Sequence, residues 1–180
     1  MDISKVLVLG AGTMGHGIAH AVASSGIEVQ LRDIKKDLVD KGLSSIEKNL
    51  DRSVEKERIS ETEKKETLDR IEGIVELAEI DDDVDVIIEA IVEKMDVKKK
   101  VFKEVAEVVS DDTYIFSNTS ALSITGIFSE IDNPERTGGM HFFNPVPAMS
   151  LVEVIEGVET TEKTIDFMKE FAREIGKKPV

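Results

Sequence analysis

The sequence contains no cysteine and no tryptophan. Without thiols it holds no disulfide framework, no cysteine nucleophile and no Cys-ligated zinc or iron–sulfur centre, and no metal site of another kind is expected. Long apolar runs are missing too: none nears the roughly 18 residues of a membrane span. The opening segment MDISKVLVLGAG has one early lysine and a short apolar run that stops at glycines. That is the pattern of a buried strand entering a turn and not of a secretory leader, so the expected location is cytoplasmic, with no membrane partner. Positive charge is scarce, with 23 Lys+Arg against 37 Asp+Glu and a formal net charge of −14. A nucleic-acid surface needs a basic face, so no nucleic-acid partner is expected. The same charge opposes the approach of any anion, so a phosphate-bearing ligand must be held by local groups. Glutamine occurs once beside abundant Lys and Glu, a balance enriched in thermophile proteins.

What remains is a globular mixture, 41% hydrophobic and 33% charged over 180 residues, the size of one domain with a small appendage. Lys5–Leu9 is apolar nearly throughout and reads as a strand covered on both faces. Met14, Ile18 and Val22 recur at helical spacing, and Gly26 closes that helix. Glu28–Arg32 reads as a second strand. Val39, Leu43, Ile46, Leu50 and Val54 then mark one narrow apolar stripe on a long charged helix. A shorter helix over Glu61–Ile71 completes a helical excursion, about residues 35–72, that projects from the body. Further strands are expected at Ile74–Leu77, Val84–Ala90, Tyr114–Phe116, Thr137–Phe143 and Leu151–Ile155. Helices are expected over Met95–Val109 and around Ile165–Ile175. Strand–helix alternation of this kind implies an α/β fold, a doubly wound, Rossmann-type and mostly parallel sheet. The acidic run Asp81–Asp83 reads as a solvated loop.

Gly10, Gly12 and Gly15 form G-x-G-x-x-G. The first glycine permits a tight strand-to-helix turn, the second lets backbone approach a pyrophosphate, and the third lets helix and strand pack closely. A helix N-terminus behind them offers free N–H groups and partial positive charge to phosphates. The motif follows an apolar strand, opens a periodic helix, and is succeeded about 20 residues on by Asp33 at the end of the next strand. Asp33 can accept hydrogen bonds from ribose hydroxyls and would repel a 2′-phosphate, which favours NAD over NADP; neighbouring Arg32 weakens that preference. NAD is therefore the expected cofactor, with Thr13 and Met14 included in its turn.

Other candidate groups stay ambiguous by pattern alone. His16 and His20 lie on the first helix and read as structural or surface groups. His141, after an apolar stretch, reads by itself as a satisfied core histidine. Glu153 and Glu156 are equivalent members of an alternating strand. Ser120 is one of several hydroxyls in SNTSALS, and Asn144 before Pro145 suits a turn.

The segments GAGTMGHGIAH, EAIVEKMDVKKKVF, SNTSALSI and HFFNPVPAMSLVEVI occur in order. Together they resemble the N-terminal domain of the L-3-hydroxyacyl-CoA dehydrogenase family, from about residue 3 to the end of the chain. The family includes 3-hydroxybutyryl-CoA dehydrogenases and the dehydrogenase part of multifunctional fatty-acid oxidation enzymes. The resemblance implies oxidation of a 3-hydroxyacyl-CoA to the 3-oxoacyl-CoA with NAD. It implies His141 as the base that takes the hydroxyl proton, a task suited to histidine near neutral pH. It implies Glu153 as the carboxylate orienting that imidazole, and Ser120 on the substrate oxygen near the nicotinamide. Glu93 and Lys98 match positions near the nicotinamide ribose and the far side of the cofactor. Lys98, Lys99, Lys100 and Lys103 form a local basic patch, or a solvated face pairing with Glu104 and Glu107. For CoA the resemblance implies Lys56, with Lys48 and Arg52 as competitors, together with Lys98 and Asn144.

The family also has a second, mostly helical domain that supplies the dimer interface and closes over the substrate. That domain is expected to be missing here, Lys178–Val180 looking like the start of a cut strand. The complete protein is then a homodimer through that part, and the isolated chain binds NAD but catalyses poorly. Two other readings remain: an NAD-dependent dehydrogenase of a small hydroxy acid, gulonate-type, and a non-catalytic NAD-binding module.

Overall fold

In the computed structural model, which describes residues 3–180, Lys5–Leu9 forms β1 with four of its five residues buried. Strand alternation sends Val6 and Val8 into one core and Leu7 and Leu9 into another, one on each face of the sheet. The sheet has eight strands in the order β3-β2-β1-β4-β5-β6-β7-β8. These are β2 Glu28–Arg32, β3 Ile71–Ile74, β4 Val86–Glu89, β5 Tyr114–Ser117, β6 Thr137–Phe142, β7 Leu151–Ile155 and β8 Lys178–Pro179. All pairs from β3 across to β6 are parallel; β7 runs antiparallel to β6, and β8 parallel to β7.

Helices cover both faces. On one lie α1 (Thr13–Ser24), α2 (Lys36–Glu55) and α6 (Glu162–Glu174); on the other lie α4 (Met95–Ala106) and the short α5 (Ile124–Ile127). The strand order reverses between β1 and β4, and in open α/β sheets the crevice at such a reversal is where ligands bind. Among the described residues no helix is long and apolar enough to cross a membrane.

The helical excursion comprises α2 and α3 (Glu61–Asp69), the latter opened by a reciprocal Ser60–Glu63 cap. Its outer faces are in solvent. Its inner stripe, Val39, Gly42, Ile46 and Leu50, is buried against the body. Gly42 is what lets α2 approach the first turn: a Cβ there would lie 2.9 Å from the carbonyl of Ala11.

One expectation fails on register. The segment expected to end a helix at Ile71 and begin a strand at Ile74 instead pairs Ile71–Ile74 with β2, and Leu77–Glu79 is a 3-10 turn. Gly73 misleads, because glycine weakens a strand in general. Here α2 crosses so closely that a Cβ at Gly73 would come within 2.5 Å of Val39 Cγ1.

Candidate functional site

The glycine turn meets each demand of its motif. Gly10 has φ +97°, and a Cβ there would lie 2.7 Å from the carbonyl of Ala90. A Cβ at Gly15 would fall 1.6 Å from the carbonyl of Gly10, so only hydrogen allows α1 to sit on the turn. Gly12 is different. It caps α1 in an extended conformation, no side chain caps the helix, and a Cβ there would have nothing within 4 Å. The backbone at Gly12 is thus bare toward a groove of about 590 Å³ lined by Ala11, Thr13, Asp33, Ile34, Val92 and others, a volume typical of a small-molecule or cofactor site. Asp33 is fixed at its edge, Oδ2 accepting from the Ala11 N–H at 2.8 Å and Oδ1 from the Ile34 N–H at 2.7 Å. A bare helix N-terminus, a close-approach glycine and a pre-oriented carboxylate fit a dinucleotide.

His141 and Glu153 lie directly opposite each other in the antiparallel β6–β7 pair. Their side chains meet, Nδ1 to Oε2 at 2.6 Å. Since a carboxylate only accepts, Nδ1 carries the proton and Nε2 of the neutral ring keeps its lone pair. The end of β6 is held from a second side, the Phe142 N–H donating to Asn118 Oδ1 at 2.8 Å. After a cis Asn144–Pro145 bond, Val146 is buried against Gly17 of α1, and Lys177 Nζ donates to the carbonyls of Val146 and Met149. Burial pushes the Lys177 ammonium below its ordinary pKa.

A third cluster closes the strand ends between these two. Glu93 Oε1 accepts from Thr119 Oγ1 at 2.5 Å, from the Ser120 N–H at 2.9 Å and from Ser120 Oγ at 3.4 Å. Burial alone would raise the Glu93 pKa; the hydrogen bonds from Thr119 and Ser120 and the Lys98 ammonium outweigh it and hold the carboxyl below its ordinary range. Lys98 does not belong to a solvent-facing patch. It is 1% exposed, its Nζ 2.5 Å from Glu89 Oε1 and 3.2 Å from Glu93 Oε2. The neighbouring lysines are the solvated face, Lys99 toward Glu130 and Lys100 toward Glu104. Glu89, fully buried, also accepts from Ser117 Oγ at 2.6 Å and the Ile91 N–H at 2.7 Å.

Glu89 and Asn118 went unnoticed in the sequence, although a glutamate inside the apolar strand VIIE was a legible signal that it has a partner. One expected substrate residue stands apart. Lys56 is exposed at the C-terminal end of α2, roughly 16 Å along the helix axis from the last groove-lining residue, Ser45. Asn144 is exposed beside its cis bond.

Comparison with known proteins gives concordant findings. The family described as 3-hydroxyacyl-CoA dehydrogenase, NAD binding domain, matches residues 5–180. A 3-hydroxybutyryl-CoA dehydrogenase of Bradyrhizobium diazoefficiens is 43% identical over 97% of this chain and 59% of its own length. A fatty acid oxidation complex subunit alpha of Psychrobacter cryohalolentis is 42% identical over 99% of this chain and 25% of its own. The crystal structure of 3-hydroxybutyryl-CoA dehydrogenase from Escherichia coli K12 superposes with a TM-score of 0.96 at 38% identity, over 100% of this chain and 38% of that one. The chain therefore spans between a quarter and three fifths of the length of these relatives.

Proposed function

The chain belongs to the 3-hydroxyacyl-CoA dehydrogenase family, as its NAD-binding domain, and from that premise we propose that it serves the interconversion of a 3-hydroxyacyl-CoA and the 3-oxoacyl-CoA. The relatives whose names specify that chemistry are the first support. The observation that carries the reading is the His141–Glu153 pair, fixed across two strands of the sheet that also carries the cofactor groove.

NAD, when bound, supplies the acceptor or donor of the hydride. The groups of the chain do the rest. Gly10, Gly12, Thr13, Met14 and Gly15 hold the diphosphate at the start of α1, and Asp33 takes the adenosine ribose. Glu93, Ser120 and, behind them, Lys98 shape the wall at the ends of β4 and β5. His141 Nε2 takes the hydroxyl proton in oxidation and returns it in reduction. Glu153 keeps the ring in the Nδ1–H tautomer and stabilises the imidazolium, as the first two members of a hydrolase triad do without a nucleophile. Ser120 Oγ donates toward the substrate oxygen. For CoA, the cation is Lys56, outside the cofactor groove at the far end of α2, with Lys48 and Arg52 as competitors on the same helix, and Asn144 borders the substrate.

Glu153 is 47% exposed in its side chain and Leu151 37% exposed beside it. So open a site leaves water at the reacting centre, and positioning and water exclusion carry much of the rate. We therefore assign the isolated chain NAD binding with slow turnover. The test is reduction of acetoacetyl-CoA by NADH, followed by NADH absorbance. The chain should turn over slowly, and His141→Ala should cut that rate by about 10²–10⁴. An unchanged rate in His141→Ala would overturn the assignment of the base; fast steady turnover by the chain alone would overturn its dependence on further structure.

A further inference from the structure

Arg32, the last residue of β2, lies opposite Leu9 in the parallel register and so points to the same face, into the cofactor groove that both line. The groove it lines also carries the apolar side chains of Ala90, Ile91, Val97 and Val101. Its Nε is buried with no acceptor. Among the described residues no carboxylate forms an ion pair with Arg32, nor with Lys41, the other cation of the groove. The one groove carboxylate, Asp33, has an oxygen on each of two backbone N–H groups instead. In a chain of net charge −14 this groove is lined by two cationic side chains against one carboxylate.

A buried guanidinium Nε with no acceptor is costly unless a ligand supplies one. The dinucleotide diphosphate does not supply it, because its place is the N-terminus of α1. At the Asp33 end of the groove the adenosine of NAD is uncharged, whereas that of NADP carries a 2′-phosphate. Arginine pairs with phosphate through a fork of donors. We propose that Arg32 is a cofactor-selectivity residue: its guanidinium receives the 2′-phosphate and offsets the repulsion by Asp33, so the groove accepts NADP as well as NAD. The inference rests on the groove being the NAD site.

Calorimetry on this chain tests it with four ligands, NAD, NADP, ADP-ribose and 2′-phospho-ADP-ribose, the last pair isolating the adenosine end. NADP is expected to bind within about tenfold of NAD. Arg32→Leu should weaken the 2′-phosphorylated member of each pair about ten- to a hundredfold more than its partner, the size of one charge-assisted hydrogen bond. Arg32→Lys, which keeps the charge and loses the fork, should fall between. NAD binding without measurable NADP binding would overturn the proposal. So would equal weakening of both members by Arg32→Leu, which would place Arg32 on the base or in the fold. Failure to bind NAD at all would instead remove the groove as the cofactor site, and the proposal with it.

Discussion

His20 sits one helical turn beyond His16, and the two differ in surroundings. The His16 ring lies at the groove with Nδ1 on the carbonyl of Gly12. His20 is 7% exposed, and its Nδ1 has no partner. Burial, then the nearby His16 and Lys177, lower its pKa from 6.5 to about 4. The folded state thus holds it neutral where the unfolded chain would protonate it. At pH above 6.5 the ring is neutral in both states and contributes no pH dependence. As pH falls from 6.5 towards 4 the unfolded chain binds a proton that the folded chain refuses, so stability falls; below about 4 both states are protonated and the loss is complete. At about 1.36 kcal/mol per unit the shift is worth about 3 kcal/mol, a large share of a typical stability of about 5–15 kcal/mol. The perturbation is His20→Leu, which removes the titration and the orphaned nitrogen together. The assay is urea unfolding at steps between neutral pH and pH 4, where m-values of about 1–3 kcal/mol/M turn 3 kcal/mol into a midpoint shift of about 1–3 M. The carboxylates held below their ordinary range, Glu63, Glu79, Asp83 and Glu93, titrate equally in both proteins and cancel in the difference. The stability of His20→Leu relative to wild type should rise steadily across that window. A flat difference would refute the reasoning.

Other outcomes follow from the same contacts. Lys98→Met strands two carboxylates, one of them fully buried, and should cost about 3–5 kcal/mol in urea unfolding; a loss comparable to that of Lys100→Met on the solvated face would refute the buried ion pair. Gly15→Ala should prevent folding of the first turn, since its Cβ would overlap the Gly10 carbonyl, as read by circular dichroism. Gly12→Ala should keep the wild-type unfolding midpoint, having open space for its methyl, yet weaken NAD at least about tenfold; undiminished affinity would show that the cofactor does not pass over Gly12. Glu153→Gln should lower the rate of acetoacetyl-CoA reduction while leaving NAD affinity unaltered, and a parallel loss of both would make Glu153 a structural residue.

The glycine turn and Asp33 could be read from the sequence because their physics is local. Three glycines at fixed spacing, the strand before them and the helix after them all fall within one stretch of chain. The β3 register could not, because what makes Gly73 fit a strand is Val39 and Leu43 of a helix that precedes it by thirty-odd residues in the chain. Nor could the choice between Glu153 and Glu156. That choice is a matter of register: only Glu153 lies opposite His141, and Glu156 falls beyond the end of β7. The inward turn of Lys98 has the same origin. A lysine at the start of a charged helix looks solvated until the fully buried Glu89, on another element, is placed beneath it.

These long-range placements also answer how an acidic chain holds an anionic cofactor. Its 37 acidic side chains are not free charges where the ligand must lie. Asp33 is on two backbone N–H groups, Glu89 on Lys98, Ser117 and the Ile91 N–H, Glu93 on Thr119, Ser120 and Lys98, and Glu153 on the His141 ring. Each carboxylate near the crevice is thus countered by donors aimed at it, at contact distances where the interaction is strong. The remaining negative charge lies on outer faces, where salt screens it over about 8 Å. What the cofactor meets at short range is the α1 N-terminus with Arg32 and Lys41, set against the single groove carboxylate of Asp33.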